Sequence, residues 1–104
     1  MVRNCEQDIA RNVKTIDWLK SELLVTLGSI YRSMAKGNED PRVSDIANLV
    51  IESYLLGKRL GVNFSDLDEV IDKNLTENID NGHQIEQWYG DFTSLLNHRK
   101  GRCR

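Results

Sequence analysis

The sequence predicts an all-α fold, a compact bundle of about four to five helices in a homo-oligomer. Three observations predict it. Apolar residues recur at three- and four-residue steps through most of the 104 residues. Strand-like alternation is confined to short pieces such as Val62 to Phe64. The single proline, Pro41, falls between two helical periods, where a first helical position needs no backbone N–H.

In chain order, Ile9, Val13 and Ile16 mark a short helical face, and Trp18 and Leu19 carry it toward the first long helix, with a bend expected near Asp17. Leu23, Leu27, Ile30, Tyr31 and Met34 line one face of that helix, and Lys36-Gly37-Asn38 ends it. Asp40 then offers an N-cap oxygen ahead of Pro41, and a second helix follows with its core from Ile46 to Leu60. Between Ile46 and Leu56 the apolar positions Ile46, Ala47, Leu49, Val50, Ile51, Tyr54, Leu55 and Leu56 surround most of the helix, which therefore needs cover on several sides. A chain this short buries roughly 60–70% of its unfolded surface. A second subunit is the expected cover, in a homodimer or homotetramer.

Gly61 is a C-cap candidate for the second helix. Ser65 and Asp68 then have capping-box spacing, with Asp in place of Glu, at the start of a third helix. Leu67, Val70, Ile71 and Leu75 form its apolar face, while Asp66, Asp68, Glu69 and Asp72 are expected to form a solvated acidic one. Asn81-Gly82 closes that helix. Ile85, Trp88, Tyr89, Phe92, Leu95 and Leu96 make a last stripe, interrupted by Gly90 and read as packing residues. Residues 99–104 read as a flexible basic tail whose removal should hardly affect stability.

Composition narrows the function. Residues 1–104 are read as one domain with a formal charge of −2, and Arg99, Lys100, Arg102 and Arg104 concentrate positive charge at one end, leaving an acidic body that should not seek nucleic acid. No apolar run reaches the eighteen or so residues of a membrane span, and residues 3–8 are too polar for a signal peptide, so the expected location is cytoplasmic and no membrane partner is expected. Cys5 and Cys103 have neither metal-ligand spacing nor a disulfide framework. His83 and His98 are read as surface or tail residues without a metal or nucleophilic role. The chain has no P-loop, dinucleotide-binding glycine pattern or nucleophile elbow.

One family resemblance adds to this reading. The order of a helix, Lys36-Gly37-Asn38, a second helix ending Tyr54-Leu55-Leu56-Gly57-Lys58-Arg59-Leu60-Gly61-Val62, and an acidic helix with Asp72-Lys73-Asn74-Leu75 resembles the MazG-like branch of the all-α nucleoside triphosphate pyrophosphohydrolases. The run from Asn78 to Phe92 is also similar to short MazG-like proteins, and together these cover most of residues 8–98. The resemblance implies a helical bundle that dimerises or tetramerises through its long helices. It also implies an ancestral activity that splits a nucleoside triphosphate into monophosphate and pyrophosphate.

In that family the chemistry rests on Glu-x-x-Glu on one helix and Glu-x-x-Asp on the next, four carboxylates that hold magnesium against the phosphates. Alignment through Lys36-Gly37-Asn38 puts Thr26 and Ser29 at the first pair and Asp45 and Asn48 at the second, so only Asp45 keeps a carboxylate. At 4 Å and an effective dielectric near 20, two unit charges interact by about 4 kcal/mol. Losing three such ligands outweighs the roughly 4 kcal/mol that defines a millimolar site. The resemblance thus implies a degenerate pyrophosphohydrolase, without bound magnesium or hydrolysis, that acts in nucleotide sensing or protein interaction. Two alternatives stand beside it. One is an active enzyme, binding a nucleoside triphosphate and magnesium through a displaced site on Glu22, Glu52, Asp45 and Asp72, with Lys58, Arg59 or Lys73 meeting phosphate. The other is a purely structural helical oligomer whose basic tail docks on an acidic partner.

Overall fold

In a computed structural model, residues 5–35 and 43–102 form five helices without a strand, and side chains are described for 7–35 and 43–101. The helices are α1 (Cys5–Ala35), α2 (Val43–Arg59), α3 (Phe64–Asp80), α4 (Gln84–Tyr89) and α5 (Asp91–Arg102). Their contacts group into two units, Met1–Phe64 and Ser65–Arg104. Among the described residues no helix is long and apolar enough to cross a membrane.

In the first unit α1 is one helix of 31 residues. The bend expected near Asp17 is absent: the helix runs through it, with no proline between Cys5 and Ala35 and an exposed Lys20 Nζ 3.7 Å from the Asp17 carboxylate one turn on. Leu19 packs to 1% exposure and is the one buried apolar residue of the unit among the described residues. The pairings Asn12 with Arg59, Thr26 with Glu52 and Ser29 with Asp45 descend α2 as they ascend α1, so the two helices are antiparallel. The expected N-cap at Asp40 and Pro41, and the Lys36-Gly37-Asn38 break, lie outside the described residues.

Gly61 terminates α2 as its sequence position suggests. Its φ is +97, the Val62 N–H donates to the Gly57 carbonyl at 2.9 Å, and the Gly61 N–H donates to Lys58 at 3.1 Å, the paired closure of a left-handed C-terminal cap. At the end of α3, Gly82 repeats the device with φ +66, and the His83 and Gly82 N–H groups donate to Asn78 and Ile79. The start of α3 is Phe64, so Ser65 lies inside the first turn rather than at the cap its spacing suggested.

In the second unit Leu75 is buried, at 7% exposure. His83 is exposed, and it has a structural role: its Nδ1 accepts the Ile85 N–H at 3.1 Å to cap α4, and its ring meets Phe92 edge-on at 5.1 Å. Gly90, left-handed at φ 68, ends α4 and lets α5 begin one residue later. The Glu86 carboxylate caps α5 from the preceding helix, accepting the Thr93 N–H at 3.1 Å and the Thr93 hydroxyl. That hydroxyl, helped by the N–H groups of Thr93 and Phe92, holds the Glu86 carboxyl below its ordinary range against an opposing push from desolvation.

The flexible-tail expectation is corrected at its first residues. Helix α5 continues through Arg102, and Arg99, only 20% exposed, donates from Nε to Asp72 Oδ1 at 2.6 Å and from Nη2 to the Asp68 carbonyl at 3.3 Å. Its Nη2 also lies 3.4 Å from Asp68 Oδ1. Two of the four acids of α3 are therefore counter-charges for α5 rather than a merely solvated face.

Two outcomes follow from these contacts. Arg99→Ala should lower stability by about 1 kcal/mol, the value of a charge-assisted hydrogen bond discounted for its half-exposed acids. An unchanged melting temperature contradicts the anchor. Glu86 has a depressed folded-state pKa, so its contribution is present above the unfolded-state value and vanishes as pH falls through the folded one. In urea titrations Glu86→Gln should therefore be less stable than the parent at about pH 7 and converge with it as the pH falls and the Glu86 carboxylate is protonated; a gap that persists in acid contradicts the capping role.

Candidate functional site

The antiparallel pairing of α1 and α2 brings Thr26, Ser29 and Asp45, three of the four residues that the resemblance singles out, and Glu52 into one strip between the helices. Thr26 and Ser29 are three residues apart and share a face of α1. Asp45 and Glu52, seven apart and two turns along α2, face them. The Thr26 hydroxyl donates to Glu52 Oε2 at 3.2 Å, and the Ser29 hydroxyl donates to Asp45 Oδ2 at 3.3 Å. All four residues are half-buried. Glu52 Oε1 is buried without a hydrogen-bond partner, the one such side-chain atom among the described residues.

The remaining sequence-derived candidates are placed differently. Asn48 is exposed and takes no part in either bridge. Glu22 is half-buried one turn before Thr26, and the partner that Glu52 finds is the Thr26 hydroxyl. Asp72 belongs to the second unit and is engaged by Arg99. Lys58 lies with Nζ 5.0 Å from the Phe64 ring centroid, a cation–π contact, and Phe64 in turn meets Tyr54 edge-on. Lys73 is exposed on α3. Among the described residues no three His, Cys, Asp or Glu side chains gather where they could hold a metal ion.

This donor set does not fit the magnesium cluster of four carboxylates. Magnesium demands oxygens about 2.0–2.1 Å from one point in octahedral geometry. Asp45 and Glu52 stand about 10 Å apart along the axis of α2 at 1.5 Å per residue, and each already accepts a hydroxyl proton from α1. What the strip does well is fasten two helices, because a hydroxyl facing a carboxylate supplies a donor to an acceptor-only group. The pairing of Thr26 with Glu52 was not anticipated from the sequence. The signal for it is a hydroxyl and an acid at positions that an antiparallel register brings opposite each other.

Removing one half of a bridge is expected to cost more than removing both. Thr26→Val leaves both Glu52 oxygens unpaired and should cost about 1–2 kcal/mol in chemical denaturation. Adding Glu52→Leu should recover most of that loss, since replacing both partners by apolar groups is nearly neutral. A single variant as stable as the parent contradicts the bridge.

The sequence profile of the MazG-like family matches residues 9–92, a span that contains both bridges. No match is found among curated proteins, and none among solved structures.

Proposed function

The chain belongs to the MazG-like family, and we propose that within it this protein has lost triphosphate hydrolysis and serves as a nucleotide-sensing or protein-interaction module. One observation carries the reading: where the family places metal-binding carboxylates, α1 presents the hydroxyls of Thr26 and Ser29, and these are spent on hydrogen bonds to Glu52 and Asp45. Two neutral donors and two separated acids lack the charge density that draws a divalent ion and a triphosphate together.

The module works as a homodimer or homotetramer. Support comes from the apolar surface that one copy leaves in water: Trp18, Val25 and Tyr31 on α1 are 58%, 64% and 72% exposed, and Val43, Val50 and Ile51 on α2 are 82%, 51% and 53% exposed.

The test is pyrophosphate release over a panel of nucleoside triphosphates with magnesium and then manganese, alongside nucleotide titrations. The expected result is no metal-dependent release, with saturable nucleotide binding. Metal-dependent release abolished by Glu52→Gln would favour an enzyme whose displaced site uses the unpartnered Glu52 oxygen. Absence of both release and nucleotide binding would leave protein interaction alone.

A further inference from the structure

A second feature of the first unit lies away from the bridges. Between the early turns of α1 and the last turn of α2 is a cleft of about 480 Å³, within the size range of small-molecule sites. Two arginines line it, Arg11 from α1 and Arg59 from α2. Arg59 is held in place by a reciprocal pair of hydrogen bonds: its Nη1 donates to Asn12 Oδ1 at 3.3 Å, and Asn12 Nδ2 donates to the Arg59 carbonyl at 3.2 Å. A guanidinium has five N–H groups, so fixing Arg59 through one of them leaves most of its donors for a ligand. The planar fork of such a group matches phosphate oxygens.

The charge around the cleft runs against that of the chain. The whole carries −2, yet Arg11 and Arg59 face one acid in the lining, Asp8. Lys14 adds a further cation in a smaller adjoining cleft that shares Arg11. The walls are not only polar, because Ile9 and Val13 also line the cleft and remain 65% and 52% exposed. A site with two guanidinium groups beside an apolar wall suits a dianion carried on a compact apolar body.

We infer that this cleft binds a phosphate monoester, its phosphate on Arg59 and Arg11 and its organic part on Ile9 and Val13. The proposal goes beyond the reading of the bridged strip and does not depend on it. Asn12 and Thr26 are fourteen residues apart on α1, about 20 Å at 1.5 Å per residue. A ligand of this class need not touch the residues at the family-motif positions.

The full chain, labelled with nitrogen-15, is titrated with inorganic phosphate and separately with a nucleoside monophosphate, at constant ionic strength set by chloride. Saturable shifts are expected at the Asn12 side-chain amide and the backbone of residues 9–15, with dissociation constants of about a millimolar. The monophosphate should bind at least several-fold more tightly than free phosphate. Arg59→Gln should weaken binding at least fivefold, and Arg11→Gln, which disturbs no side-chain tie between the helices, should do likewise with the helical circular-dichroism signal retained. Thr26→Val should leave the affinity unchanged. Shifts that fail to saturate, or that persist in Arg11→Gln, overturn the site; equal affinity for phosphate and monophosphate overturns the apolar seat and with it the monoester assignment.

Discussion

The antiparallel contact between α1 and α2, fastened by two hydroxyl–carboxylate hydrogen bonds, is the constraint on which the first unit depends. Thr26 to Glu52 and Ser29 to Asp45 set the register of the two long helices. The Asn12–Arg59 pair ties the same two helices together near the other end. Apolar packing alone would set it weakly here, because Leu19 is the unit's one fully buried apolar side chain among the described residues and a hydrophobic contact has no direction. Hydrogen bonds to charged acceptors do have direction, and a half-buried carboxylate left without a donor is costly. The polar strip therefore specifies how the helices meet.

On the proposed reading, the same strip gives a physical reason why the fold would persist without a metal site. In a cluster of four carboxylates, like charges repel and the metal ion is what holds the helices together. Exchanging two acids on α1 for hydroxyls converts repulsion across the interface into donor–acceptor pairs, and the helices then meet without an ion. Glu52 supplies Thr26 with an acceptor. It does so at a cost, since its other carboxylate oxygen is buried and unpartnered.

Much of this was legible in the sequence, and the illegible parts share a cause. The helices followed from periodicity, and the ends of α2 and α3 followed from Gly61 and Gly82, whose positive φ angles are inexpensive for glycine alone. The family was readable from residue order. What could not be read was pairing between distant residues. Arg99 looks like the start of a solvated tail until Asp72 and Asp68, 27 and 31 residues earlier, are seen to hold it. Thr26 looks like a neutral substitution until Glu52 is found opposite, because periodicity assigns a residue to a helix face and says nothing about which residue on the next helix it meets. The Asp17 bend failed for a local reason: nothing there breaks a helix, and the change in hydrophobic pattern alone does not bend one.

The central claim is that α1 and α2 still present the family's metal-binding positions to one another and that the side chains there, not the backbone, have given up the ion. Isothermal calorimetry with magnesium and manganese on the Thr26→Glu, Ser29→Glu, Asn48→Asp triple variant, beside the unmodified protein, tests it most directly. The account predicts no saturable heat for the unmodified protein and a clear divalent-ion isotherm for the variant, with lower stability in the absence of metal because acids have been gathered together. A folded variant that binds no better than the unmodified protein, or an unmodified protein that already binds magnesium tightly, would contradict it.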